Sequence, residues 1–217
     1  NSLSGAEHAF RLMLTLAKNI IPVSNEYRTV GFAAKNHAPG IEMTGKTLGL
    51  IGMGRIGKHI LHMCRDGLDM HVIVYDPYIS EVPEGVERVD DLSELLRRAD
   101  IVTLHCLLTD ETRKLIDRER LALMKPTALL INCARGPIVD EAALIEALEN
   151  GRLAGGGLDV TDPEPVAPDS PLFNLPHVIV TPHYAPTTVE SATRGSKIAA
   201  ENINAVLAGQ EPVGRIV

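Results

Sequence analysis

Thr47-Leu48-Gly49-Leu50-Ile51-Gly52-Met53-Gly54-Arg55-Ile56-Gly57 decides how the rest of the chain reads. A short apolar run leads straight into glycines spaced G-x-G-x-x-G, and Ile56, Ile60, Leu61 and Cys64 then continue at helical spacing. In such a strand–turn–helix, Gly52 permits the tight turn, Gly54 lets a pyrophosphate approach the backbone, and Gly57 lets helix and strand pack closely. The exposed N–H groups of the helix start attract the anion. Kinase phosphate loops share the glycine spacing, but another strand follows theirs, and here a helical stripe follows instead. The next apolar run ends at Asp76, 19 residues beyond Gly57. A carboxylate there accepts hydrogen bonds from ribose hydroxyls and repels a 2′-phosphate, so the motif points to NAD rather than NADP.

Working outward, apolar runs at 47–51, 71–75, 100–104, 128–132, 154–160 and 177–181 read as strands. Helical patterns at 56–65, 92–98, 111–124 and 141–148 separate the first five. Near-continuous apolar strands alternating with helices predict a doubly wound parallel α/β sheet of Rossmann type, covered on both faces. The connection 161–176 carries Pro163, Pro165, Pro168, Pro171 and Pro176 and reads as a functional loop. Ahead of the sheet, Ser4-Gly5-Ala6-Glu7 matches a capping box opening a helix over 4–21. Its apolar stripe, Ala9, Leu12, Met13, Leu16, Ala17, Ile20 and Ile21, is wide enough to pack on another domain or subunit, with His8 and Arg11 on the polar face. We divide the chain into a linking helix and arm (1–45), a dinucleotide-binding domain (46–186), and a closing helix, 189–207, with a C-terminal crossover (187–217).

Composition excludes other classes. The 217 residues hold 21 Lys plus Arg against 28 Asp plus Glu, a net charge of −7, with three Phe, four Tyr and no Trp. Neither phosphate-neutralising surface nor base-stacking aromatics point to a nucleic acid. No apolar run reaches the roughly 20 residues of a membrane span. Cys64, Cys106 and Cys133 have no metal-ligand spacing and fit a reducing, cytoplasmic setting. His59 and His62 lack a third ligand nearby, so no metal site is expected. Asn1 begins without a Met or a signal pattern, so the chain is expected to be a piece of something longer.

Ligands of open α/β sheets lie beyond the carboxyl ends of the strands. Arg135 follows the fourth expected strand, Asp159 and Glu164 flank the end of the fifth, and His183 follows the sixth. Each has a bland reading: Arg135 could pair with Asp140 or Glu141, Glu164 could be a solvated charge, and His183 a loop histidine. Their joint placement beside the nucleotide site argues for chemistry.

These residues carry a resemblance. Gly52 to Gly57, Asn132-Cys133-Ala134-Arg135-Gly136 with Val139-Asp140-Glu141, Leu158-Asp159-Val160 with Glu164-Pro165, and Thr181-Pro182-His183 resemble, in order, the signatures of the D-isomer-specific 2-hydroxyacid dehydrogenases. Asn1-Ser2-Leu3-Ser4 with Ala6-Glu7, and Thr109 with Glu111-Thr112, match as well, and Tyr75-Asp76-Pro77 is similar to the phosphoglycerate dehydrogenase branch. The resemblance implies hydride transfer between NAD(H) and a 2-hydroxy or 2-oxo acid. It implies that His183 is the proton donor and acceptor, that Glu164 orients it, and that Arg135 binds the substrate. It also implies a cofactor set of Gly52, Gly54, Arg55, Ile56, Gly57, Asp76, Cys106, Cys133, Ala134, Arg135, Asp159 and His183, with Asp159 on the nicotinamide side. Leu107 stands where the family carries Pro, and Tyr184-Ala185-Pro186 replaces a Gly-rich run, which bears on the cofactor's pose. The family builds its substrate cleft with a second domain, largely absent here, so this chain alone is expected to bind NAD(H) with little turnover. A homodimer is also implied, with the first helix as its contact. The alternative is an NADH-responsive interaction protein of the same fold, such as a corepressor.

Overall fold

The computed structural model describes residues 1–214. At its centre is a seven-stranded, all-parallel sheet. Its strands are β1 (Thr47–Ile51), β2 (His71–Tyr75), β3 (Val86–Arg88), β4 (Ile101–Leu104), β5 (Leu129–Asn132), β6 (Gly155–Leu158) and β7 (Val178–Val180). They lie in the order β3-β2-β1-β4-β5-β6-β7, so the order reverses between β1 and β4. That reversal opens the crevice where nucleotides sit in doubly wound sheets.

Alternate side chains of one strand feed opposite cores. Leu48, Leu50, Val72, Val74, Leu129 and Ile131 pack with α1 (Ser2–Ala17) and α3 (Arg55–Leu68). Ile73, Val102, Leu104, Leu130 and Leu158 pack with α4 (Leu92–Arg98), α5 (Arg118–Leu123) and α6 (Glu141–Glu149) on the other face. Every residue of β4, β5 and β6 is buried, which is why they read as unbroken apolar runs. The remaining helices are α2 (Ile20–Val30) and α7 (Val189–Leu207). Among the described residues no helix is long and apolar enough to cross a membrane.

Several expectations are corrected. The first helix starts at Ser2 and ends at Ala17, and Ser4 lies inside it, buried, donating its hydroxyl to Ala185 O at 2.8 Å. The capping-box reading therefore fails, because the side chain has a tertiary partner. The apolar stripe of α1 covers this domain's own sheet rather than another subunit, and His8 is 3% exposed rather than on an open polar face. Approach is close because β6 is Gly155-Gly156-Gly157: a Cβ on Gly157 would sit 3.1 Å from Leu12 Cβ. The helix expected over 111–124 shrinks to α5, since a Thr109–Thr112 hydrogen-bonded turn occupies its first part and Asp117 caps the shorter helix through Arg120 N–H. β3, a short and mostly exposed edge strand, has no apolar run to betray it. The expected crossover at the C-terminus extends to 215–217, which lie outside the described residues.

Candidate active site

Gly52 follows β1 at φ 88°, a conformation open to glycine, and a Cβ there would lie 2.7 Å from Cys106 N. A Cβ on Gly57 would meet Gly52 O at 2.3 Å, so this position closes the turn against the helix. Gly54 is different, because nothing lies within 4 Å of its notional Cβ. The first and third glycines are needed by the protein's own packing, and the second leaves space above the backbone. Gly54 is also the N-cap of α3, which has no side-chain cap, while α4, α5, α6 and α7 are capped by Asp91, Asp117, Asp140 and Thr188. The first N–H groups of α3, beside Arg55 and Ile56, are left for an external acceptor.

A pocket of about 340 Å³ adjoins this turn, lined by Gly52, Gly54, Asp76, Tyr78, His105 and Cys106 among others. Asp76 accepts hydrogen bonds from Met53 N–H at 2.8 Å and Tyr78 N–H at 3.0 Å, so the carboxylate braces the glycine turn while facing the pocket. Tyr78 donates its hydroxyl to Glu111 at 3.2 Å across the mouth. Leu107, 82% exposed, also lines it. His105 escaped sequence reading, yet its Nδ1 is a buried side-chain atom without a hydrogen-bond partner among the described residues, and burial pushes the imidazole down to about 4. Open backbone, an uncapped helix start, a carboxylate at the end of β2 and a spare buried nitrogen together fit a dinucleotide.

The second half of the site lies at the ends of β5, β6 and β7. His183 Nδ1 and Glu164 Oε1 are 2.7 Å apart. A carboxylate only accepts, so Nδ1 carries the proton and Nε2 is the free face of the ring. Both side chains are partly exposed, at 41% and 44%, and line a pocket of about 400 Å³ with Asp159 and Thr181. His183 has φ 52°, unusual for a residue with a Cβ, and its N–H donates to Asp159 O and Thr181 O.

Asp159 is held within the turn that carries His183. It is 1% exposed, and its carboxylate accepts from Thr181 Oγ1 (2.6 Å), Tyr184 N–H (2.7 Å) and Ala185 N–H (2.9 Å), with His8 Nε2 at 3.2 Å. The side chain anchors the 181–185 turn. Burial pushes it up, but these hydrogen bonds outweigh that and hold it below the usual aspartate value.

Arg135 is exposed and donates to Ala134 O at 2.6 Å. It forms no ion pair among the described residues: Asp140 takes Lys114 at 3.0 Å, and Glu141 accepts from Asp162 N–H. The guanidinium thus keeps most of its donors for an anion. A Cβ on Gly136 would lie 1.9 Å from Thr161 O, so the Arg135 turn abuts the segment leading to Glu164, although Arg135 bonds to neither Glu164 nor His183. Burial pushes the Cys106 thiol up to about 11 and the Cys133 thiol higher still, so both are protonated and neither is a nucleophile; Cys106 lines the pocket, while Cys133 packs against the core that includes α1 and α3. Among the described residues no cluster of three or more His, Cys, Asp or Glu could hold a metal.

Comparison with known families decides the assignment: residues 10–185 match the family model described as D-isomer specific 2-hydroxyacid dehydrogenase, NAD binding domain. The chain belongs to that family. The chain is 46% identical over 213 residues to a D-3-phosphoglycerate dehydrogenase of Methanocaldococcus jannaschii, covering 97% of this chain and 40% of the relative. The TT0316 protein of Thermus thermophilus superposes with a TM-score of 0.92 at 39% identity, over the whole chain and 68% of that structure. D-lactate dehydrogenase from Aquifex aeolicus, solved with NAD and lactic acid, gives 0.86 at 32% identity, over 96% of this chain and 67% of that one. The chain thus spans less than half the length of that phosphoglycerate dehydrogenase.

Proposed function

We propose that this domain is the cofactor-binding and proton-transferring half of an enzyme that interconverts D-2-hydroxy acids and 2-oxo acids with NAD(H). The observation that carries this is the Glu164–His183 pair at the same sheet edge as the glycine cradle. When bound, the nicotinamide supplies or accepts the hydride. In the reductive direction, doubly protonated His183 gives its Nε2 proton to the carbonyl oxygen, and Glu164 holds the ring through Nδ1 and stabilises the imidazolium. Proton transfer of this kind contributes roughly 10²–10⁴ in rate. Arg135 grips the substrate's carboxylate or carbonyl through its fork of donors.

Gly52, Gly54, Arg55, Ile56 and Gly57 cradle the pyrophosphate, Asp76 takes the adenosine ribose, and Cys106, Cys133 and Ala134 line the groove. Asp159 acts on the nicotinamide end by fixing the turn that carries His183. The division of the chain at 45 and 186 follows from this reading, with the central segment holding every site residue. A reducing, cytoplasmic setting agrees with three free cysteines, and a homodimer with the exposed apolar residues Ile20, Ile21, Tyr27, Val30 and Phe32 of α2 and the arm. No nucleic acid or membrane partner is invoked. No observation favours the corepressor-like alternative.

Calorimetric titration of this domain with NADH tests the cofactor assignment, and no binding at millimolar concentration overturns it. Assays of the intact protein on hydroxypyruvate, glyoxylate and phosphohydroxypyruvate test the chemistry. Turnover of at least one is expected, and turnover of none sinks the reading.

A further inference from the structure

One face of α1 meets the turn that presents His183. Ser4 donates to Ala185 O at 2.8 Å, His8 Nε2 stands 3.0 Å from Thr181 Oγ1 and 3.2 Å from Asp159 Oδ1, and Arg11 Nη2 stands 2.6 Å from His8 Nδ1. Spacings of four and three residues put Ser4, His8 and Arg11 in one line along the helix. Tyr184 adds an edge-on ring contact to His8, with centroids 6.0 Å apart at 62°.

The donors in this line can be assigned without ambiguity. A guanidinium has no acceptor, so His8 Nδ1 accepts from Arg11 and the ring proton sits on Nε2. Thr181 donates its hydroxyl to Asp159 at 2.6 Å, which leaves its lone pairs for His8 Nε2–H. The chain therefore runs one way, from Arg11 through His8 and Thr181 to Asp159. Asp159 in turn accepts the N–H groups of Tyr184 and Ala185 with its carboxylate and that of His183 with its carbonyl. His8 and Asp159 are 3% and 1% exposed, so solvent cannot substitute for either partner. A histidine at φ 52° needs its surroundings to hold it there.

We propose that His8, with its tautomer set by Arg11, is a positioning residue for proton transfer: it orders Thr181 and Asp159 so that the 181–185 turn aims His183 at Glu164 and the substrate. This rests on the proton-transfer role given to His183 above. The cradle around Gly52–Gly57 is lined by none of these residues.

The test uses ¹⁵N-histidine spectra and kinetics of the intact protein. In the wild type, His8 shows an Nε2–H tautomer and His183 an Nδ1–H tautomer. His8→Leu is expected to scramble the His183 pattern and lower turnover of the 2-oxo acid by about tenfold or more, while NADH affinity stays within about twofold. His8→Gln, whose amide still donates toward Thr181, recovers most of the loss. Arg11→Gln, an exposed position that leaves folding intact, shifts His8 toward a mixture of tautomers and is the measurement to rely on if His8→Leu does not fold. An unchanged His183 spectrum and turnover in His8→Leu, or an equal loss of NADH affinity, overturns the proposal. A His8 tautomer indifferent to Arg11→Gln does so too. If the wild type turns over no 2-oxo acid, the functional reading fails, while the spectra still decide whether His8 sets the His183 turn.

Discussion

Gly54 and Gly57 differ by three positions and by what surrounds them. Ala at Gly57 forces a methyl to 2.3 Å from Gly52 O, a backbone atom that cannot swing aside. Overpacking of this kind costs about 1–3 kcal/mol, and Gly57→Ala is expected to lower the melting temperature and NADH affinity together. Gly54→Ala meets open space at φ −72°, so it is expected to melt like the wild type yet bind NADH at least about tenfold more weakly. Calorimetry beside thermal denaturation separates the two. Asp159 gives a pH prediction. Its carboxyl is held below the ordinary 3.8, so it contributes stability above that pH and loses it as pH falls through the folded value. Asp159→Asn is expected to cost roughly 2 kcal/mol at neutral pH, the range for hydrogen bonds to a charge, and the gap in denaturant midpoints narrows below about pH 4. The glycine spacing was legible because it is local chemistry. His8 was not, because an amphipathic reading places a polar side chain outside unless its buried partners, 173 residues away, are known.

At the level of elements, α1 packs closely on β6 through Gly157. Gly157→Val sets its branches against Ile131, Leu12 and Leu16, whose atoms lie 3.0 to 3.2 Å from the first added carbon. Destabilisation of about 1–3 kcal/mol is expected in urea unfolding, with turnover falling further than the loss of folded protein explains, since α1 carries His8. Six of the strands announced themselves as apolar runs because both sheet faces are covered. β3 stayed hidden because Val86-Glu87-Arg88 pairs on one side only and stays largely in solvent. The stretch 111–124 has helical composition, but Thr112 donates to Leu107 O and folds back on Thr109, a local bond that competes with the helix.

For the molecule as a whole, apolar residues left outside mark where it meets other surfaces. Ile20, Ile21, Tyr27, Val30 and Phe32 stand 44% to 72% exposed on α2 and the arm. If the homodimer forms there, Tyr27→Glu with Phe32→Glu converts it to a monomer in light scattering without changing NADH affinity. A dimer indifferent to both changes places the contact elsewhere. The distribution of sequence separations has one more consequence. Residues between 51 and 115 line the pocket beside the glycine turn, a short span of chain, whereas the turn that carries His183 is tied to Ser4 across 181 residues and to His8 across 173. As the polypeptide leaves the ribosome, the nucleotide cradle can assemble while the first helix still waits for its last partner. The glycine turn is thus complete early in the chain, and the turn that carries His183 closes only after the final strand, β7, has met the first helix.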